Sequence, residues 1–158
     1  ELLKSELRPE FFLRETNRAG NEIYVITAAE CPNVMREIGR LREVSFRTSG
    51  GGSGLGCDVD IYDTMEVPYK QLIVWNPDDR EIIGGYRFLH GADVTYDENG
   101  VPMLTSSHLF KYSEKFLKEY LPYTIELGRS FVRPEYQSTK MGAKSLFALD
   151  IHQYRSAV

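Results

Sequence analysis

The sequence predicts an α/β (α+β) fold in which helices pack on a central sheet. Three observations carry that expectation. Strand-type and helix-type segments follow one another in the order β-α-loop-β-β-α-β-α. Two adjacent apolar runs joined by Asn76-Pro-Asp-Asp79 have the pattern of an antiparallel hairpin. The composition, 42% apolar and 27% charged over 158 residues, suits a single globular domain, residues 1–158, with one core.

The first element is a short β-type run, Glu22-Ile-Tyr-Val-Ile-Thr27. Pro32-Asn33 then opens a helix predicted over Asn33 to Phe46, because Val34, Ile38, Leu41 and Ser45 recur on one stripe of a 3.6-residue period. Thr48 to Gly56 holds five glycines in nine residues. Fixing that backbone costs too much entropy for helix or strand, so a mobile loop is expected. Asp58 to Asp63 follows, acidic and aromatic. Residues 70–75 and 81–89 are the two hairpin strands, and a polar stretch with Asn99-Gly100 comes after them. Ser106 or Ser107 is expected to cap a helix running to about Tyr120, with Leu109, Phe110, Phe116, Leu117 and Tyr120 inward and Pro122 as its stop. Thr124 to Val132 is the next strand, ended by Pro134. A last helix is predicted over 138–150, with Met141, Ser145, Leu146 and Leu149 in register. Only eight residues follow Asp150, too few for another strand, helix and strand, so the fold is expected to be incomplete at its C-terminus.

The bulk numbers exclude some function classes. A net charge of −4 and a pI of about 5.4 argue against nucleic acid as a main partner, although a local basic patch for an acidic partner is compatible. Cys31 and Cys57 make no disulfide framework, and no Cys/His spacing suggests a metal site. No apolar run approaches the ~18 residues of a membrane span, and no signal-peptide pattern opens the chain. A reduced, cytoplasmic location is the expectation.

The order of the polar landmarks is more telling than any one of them. Arg42 and Phe46 lie one helical turn apart, Asp60-x-x-Asp63 follows the glycine loop, Arg87 sits in the hairpin, and Glu126-Leu-Gly-Arg129 lies in a later strand. This pattern resembles that of the acyl-homoserine-lactone synthases. The longer phrase from Glu126 to Gln137 is closer still to the GNAT-like N-acyltransferases of lyso-aminolipid (ornithine or glycine lipid) synthesis, often labelled hemolysins. The resemblance runs from about Ile23 to Asp150. It implies a GNAT-like, mixed, mostly antiparallel central sheet flanked by helices. It also implies transfer of a long-chain (3-hydroxy)acyl group from acyl carrier protein to the amine of an amino acid, glycine or ornithine, with peripheral membrane contact and no permanently bound cofactor.

Two departures refine this. The lactone synthases carry a Trp in the loop after the Phe, whereas the one Trp here is Trp75, in a strand. That argues against a nucleoside-methionine acceptor. The usual pyrophosphate loop, Gln/Arg-x-x-Gly-x-Gly/Ala, appears as Gln137-Ser-Thr-Lys140-Met-Gly142, with Lys at its middle glycine. This weakens coenzyme A as donor and leaves acyl-phosphopantetheine compatible. The rival readings are a lactone-forming synthase, a CoA-dependent small-molecule N-acetyltransferase and a non-catalytic membrane-lysing protein.

Amide formation from a thioester needs a neutral amine, a stabilised oxyanion and a route for the thiol to leave. Glu126 is the candidate base, or the orienter of a water that takes the ammonium proton; the alternative is a structural ion pair with Arg129 or Arg87. In a regular strand Glu126 and Arg129 face opposite sides, so Gly128 between them predicts a bulge near 127–129. Asp60 and Asp63 either bind the acceptor's amine or pair with Arg42 and Arg87 to order the glycine loop, and the resemblance favours the second. Arg87 and Arg129 have the fork that suits carboxylates, either the acceptor's or those of Asp60, Asp63 and Glu126, and the internal network is favoured. Glu126 and Arg129 are the catalytic candidates, and Arg42, Phe46, Asp60, Asp63, Arg87 and Phe110 the substrate-binding ones. Ser130, Phe131, Val132, Arg133, Gln137, Lys140, Gly142 and Lys144 are the candidate donor-binding residues, with Arg133, Lys140 and Lys144 for the phosphate and the acidic carrier. Phe46, Phe88, Phe110 and Phe131 are candidates for an acyl tunnel or plain core. Cys57 is expected to be an inert thiol, and the histidines are assigned no role.

Overall fold

A computed structural model describes residues 2–17, 19–48 and 50–137. Five strands form one sheet in the order β1 (Phe12–Glu15), β2 (Glu22–Ile26), β3 (Lys70–Asn76), β4 (Glu81–His90) and β5 (Ile125–Val132), every neighbour antiparallel. Helix α1 (Leu2–Glu6) precedes the sheet, α2 (Pro32–Thr48) lies on one face, and the short α3 (Ile61–Thr64) and α4 (Pro134–Gln137) complete the regular elements. The sheet flanked by helices is the architecture that the alternation of patterns predicts. No described helix is long and apolar enough to cross a membrane.

α2 forms where its apolar stripe requires: Val34, Ile38, Leu41 and Ser45 are all buried. That stripe meets Ile73, Trp75, Ile82 and Phe131 in one apolar cluster. A second cluster, built on Tyr62, Tyr69, Leu89, Leu104 and Leu121, covers the other end of the strands. A third, Ile23, Leu72 and Phe88, belongs to the opposite pleat, as alternation along each strand demands.

Three expectations need correction. Residues 106–120 do not form one capped helix. Thr105–His108 make a 3-10 turn, residues 109–113 are irregular, and Phe116–Tyr120 wind as a wide π-type turn leading into a 3-10 turn over Leu121–Tyr123. Leu109 and Phe110, expected inward, are 77% and 62% exposed, and Tyr120 is exposed as well. The reason lies in Ser106, whose N–H and hydroxyl both go to a carboxylate instead of to a helix start. The glycine loop is the second case: its described part is anchored, with Ser53 N–H and hydroxyl and Gly54 N–H donating to Glu43 on α2. A Cβ on Gly39 would run into Cys57 Sγ and Val59, so that glycine lets residues 57–59 lie against the helix. Third, β1 and α1 have no counterpart among the predicted elements. The helix expected over 138–150 lies outside the described residues.

Candidate active site

A buried network of charge separates the two clusters on the α2 side of the sheet. Arg42 follows the α2 stripe inward and is fully buried. Its Nη1 donates to Asp63 Oδ2 at 3.0 Å and to the Asp58 carbonyl at 3.3 Å, and its Nη2 donates to Gln71 Oε1 at 2.5 Å. Gln71, on β3, returns its amide to Asp63 Oδ1 at 2.9 Å. Arg87, on β4 opposite Gln71, reaches Asp60 Oδ1 at 2.7 Å and Asp63 Oδ2 at 3.2 Å. Its guanidinium lies 5.1 Å from the ring centre of Tyr69 and 5.7 Å from that of Tyr62. Asp60 and Asp63 therefore order the chain beside Arg42 and Arg87. Their i, i+3 spacing has a local cause too: they form the capping box of α3, Asp60 accepting from Tyr62 N–H at 3.0 Å and Asp63 from Asp60 N–H at 3.1 Å. Burial alone would raise the Asp60 carboxyl. The Arg87 hydrogen bond and charge, the Tyr62 N–H and Arg129 outweigh that and hold it below its ordinary range.

β5 carries the bulge that Gly128 suggests. Gly85 pairs with Phe131 and Arg87 with Gly128, so Arg129 and Ser130 together oppose Tyr86. Arg129 adopts φ 52°, the left-handed region expected of an extra residue in such a bulge. The added residue turns Arg129 back to the face of Glu126. Its Nε stands 3.3 Å from Asp58 Oδ2 and its Nη2 3.5 Å from Asp60 Oδ2, with the side chain still 41% exposed.

Glu126 projects from β5 beside Tyr69 of the second cluster, half-buried. Among the described residues no Lys or Arg pairs with it, so the ion pair with Arg87 or Arg129 does not form. It is ringed instead by neutral donors. Oε2 accepts from the Tyr69 hydroxyl, from Thr105 N–H at 3.1 Å and from Thr105 Oγ1 at 3.0 Å. Oε1 accepts from Ser106 N–H at 3.0 Å and from the Ser106 hydroxyl. Tyr112 donates in turn to Ser106 Oγ at 2.5 Å, its ring stacked on Phe116. Burial pushes the Glu126 carboxyl above the ordinary glutamate range, against the Ser106 and Thr105 N–H groups that pull it down. Such a carboxylate is held in one place and is disposed to take a proton.

The remaining candidates are dispersed. Phe131 is in the α2 cluster with Phe46 packed against it, Phe88 belongs to the opposite pleat, and Phe110 is exposed; the four do not gather into one channel. Ser130 is exposed, and the Val132 carbonyl accepts from Ser45 Oγ at 3.0 Å and from Gln137 Nε2 at 2.9 Å. Arg133 is engaged by Glu81 and, at 3.3 Å, by Glu135. Lys140, Gly142 and Lys144 lie outside the described residues. Cys31 and Cys57 are free thiols whose pKa burial raises, Cys31 to about 11, which suits inert groups. Sequence reasoning missed Tyr69, Thr105, Ser106 and Tyr112 as site residues; the run of three hydroxyl residues at 105–107 was the available signal. It also missed Tyr62 and His108, whose hydroxyl and Nε2 lie 2.8 Å apart.

Comparison with known proteins gives this arrangement a context. The family described as "Acetyltransferase (GNAT) domain" matches residues 41–146. A protein of Bacteroides thetaiotaomicron named glycine N(alpha)-acyltransferase is 65% identical over 150 residues, covering 95% of this chain and 44% of its own length. One of Phocaeicola vulgatus with the same name is 63% identical over 150 residues, covering 95% of this chain and 46% of its own. The chain thus spans less than half the length of these relatives. No solved structure matches it.

Proposed function

Since the chain belongs to the acetyltransferase (GNAT) domain family, we propose that it carries the site of an N-acyltransferase that joins a long-chain (3-hydroxy)acyl group from acyl carrier protein to the amine of glycine, forming a lyso-aminolipid. One observation carries the reading: a half-buried carboxylate, raised in pKa and free of any described cation, fixed by hydroxyls beside a bulged strand. The names of the two relatives favour glycine over ornithine as acceptor.

In this reading Glu126 takes the proton that the acceptor's ammonium must lose before it can attack. The buried Arg42, Arg87 and Asp63, with the half-buried Asp60, hold the sheet and α3 rigid around it, a scaffolding role. Arg129, looser and more exposed, is the guanidinium suited to the acceptor's carboxylate. β5 is the sheet's edge among the described residues, so its outer backbone groups are open to the amides of a phosphopantetheine arm. Ser130, Phe131, Val132 and Gln137 flank that edge, and Lys140, Gly142 and Lys144 follow it in sequence toward the donor's phosphate. The exposed Leu109, Phe110, Tyr120 and Tyr123 favour a peripheral lipid contact where an acylated product leaves.

The test is product formation. Purified protein given a C16 acyl carrier thioester with glycine, and separately with ornithine, is expected to yield N-acyl glycine by mass spectrometry. Acylation from acetyl-CoA alone, or no N-acyl product from the carrier thioester with either amino acid, overturns the proposal.

A further inference from the structure

Glu126 is too well satisfied to meet a substrate directly. A carboxylate offers about four lone-pair directions, and five donors of the chain converge on this one: the Tyr69 hydroxyl, the N–H and hydroxyl of Thr105, and the N–H and hydroxyl of Ser106. An incoming amine finds no vacant acceptor there. The proton must travel through one of the three hydroxyls, each of which can give its own hydrogen to the carboxylate while receiving another.

Their surroundings distinguish them. Tyr69 is fully buried beneath the Arg87 guanidinium and its oxygen already accepts from Thr105 N–H at 3.1 Å, so no substrate atom reaches it. Thr105 shares Oε2 with Tyr69, and beyond that bond no second described hydrogen bond holds its hydroxyl. Ser106 is half-buried and its hydroxyl is fixed from both sides. It donates to Oε1, and one of its two lone pairs accepts from Tyr112 at 2.5 Å. No described residue occupies the second lone pair. Tyr112 is itself steadied by its stack on Phe116, with ring centres 5.0 Å apart.

We infer that Ser106 Oγ is the atom that receives the acceptor's proton, passing its own hydrogen to Glu126 while Tyr112 holds the hydroxyl in register. The inference rests on the acyl-transfer reading above. In the step, the ammonium N–H bond breaks and an O–H bond forms on Ser106, while the former Ser106 O–H bond breaks and one forms on Glu126 Oε1. Glu126 becomes neutral and the nitrogen gains its lone pair. That pair attacks the thioester carbonyl, the C–S bond breaks with its electrons on sulfur, and a second proton from nitrogen converts the thiolate to thiol. Glu126 then releases its proton to solvent by the reverse route. Ser106 is the catalytic residue in this account and Tyr112 a positioning one.

Four substitutions in the purified protein test it, with acceptor saturation curves and a thermal melt for each. Ser106→Ala should lower kcat by about 10²-fold or more, as loss of a proton-transfer group does, while KM for the acceptor stays within about twofold. Ser106→Thr, which keeps the hydroxyl, should recover most of that loss. Tyr112→Phe should cost about five- to tenfold in kcat, the size of one hydrogen bond. Glu126→Gln should inactivate. Wild-type kcat in Ser106→Ala beside an inactive Glu126→Gln overturns the relay and leaves the acyl-transfer reading standing. A Ser106→Ala loss lying wholly in KM also overturns the relay, as does a folded Ser106→Thr as slow as Ser106→Ala. Full activity of Glu126→Gln overturns the relay and the assignment of Glu126 together.

Discussion

Two glutamates show how surroundings decide what a carboxylate does. Glu43 accepts from Ser53 Oγ at 2.6 Å, from two loop N–H groups and from Arg47 Nη2 at 2.7 Å, and the Ser53 and Arg47 hydrogen bonds bring its pKa down to about 2. Glu126 also has a full set of donors, yet burial raises it, because no described cation stands against it. The first is an anchor that stays charged; the second is the one we propose as proton acceptor. The titratable and charged groups near Glu126 are Tyr69, Tyr62 and, through Ser106, Tyr112, with Arg87 over the Tyr69 ring and His108 on the Tyr62 hydroxyl. A base works only when ionised, so kcat should rise with pH through the Glu126 pKa. The midpoint of that acid limb is expected above the ordinary 4.5. A kcat measured at saturating substrates that stays flat down to 4.5 would count against Glu126 as the base. At this scale the sequence was half legible. Glu126, Arg42, Arg87, Asp60 and Asp63 are legible through their order along the chain, which resembles that of the acyl-homoserine-lactone synthases. The hydroxyls of Tyr69, Ser106 and Tyr112 are not, since only the path of an irregular stretch brings them to one carboxylate.

Regular elements were read correctly where periodicity spoke, as in α2, the β3–β4 hairpin and β5. They were misread where a side chain had a stronger use elsewhere. Ser106 has a helix-capping pattern, but Glu126 takes both its donors, and the stretch after it unwinds with Leu109 and Phe110 exposed. Gly128 correctly marked the bulge because the face change between Glu126 and Arg129 needs an extra residue. The glycine loop misled in another way. Its composition argues for freedom, but Glu43 on α2 supplies acceptors for Ser53 and Gly54 and overrides that tendency. The anchoring has a pH signature. Glu43 is depressed on folding, so its contribution is complete above the unfolded value of 4.5 and is lost as pH falls toward about 2. The Ser53 and Gly54 amide resonances should therefore hold steady through pH 4.5 and move together near 2. A common midpoint at the ordinary glutamate value would mean that the loop is not held by Glu43.

For the molecule as a whole, the consequence of this arrangement is that two apolar clusters on one side of the sheet touch through charge. α2 closes the first over Trp75 and Phe131, the second lies under Tyr62 and Leu121, and Arg42, Asp63, Gln71 and Arg87 fill the space between. Asp63 is the keystone, because both arginines and Gln71 end on it and it is fully buried. Apolar replacement of a whole buried ion network is often neutral, but removal of Asp63 alone leaves Arg42 in low dielectric without its carboxylate and Arg87 with Asp60 only. Asp63→Ala should therefore cost about 3–5 kcal/mol, a large part of the ~5–15 kcal/mol that holds a domain folded. Lys118→Ala, which breaks the exposed Lys118–Glu114 pair at 3.2 Å, should change stability by no more than about 0.5 kcal/mol. Trp75 lies in the first cluster only, so its fluorescence reports that end while far-ultraviolet circular dichroism reports the whole chain. If the network couples the two ends, the two signals melt together in the parent and separate in Asp63→Ala. Coincident melting in the variant, at a midpoint like that of Lys118→Ala, would show that the apolar packing alone holds the halves together.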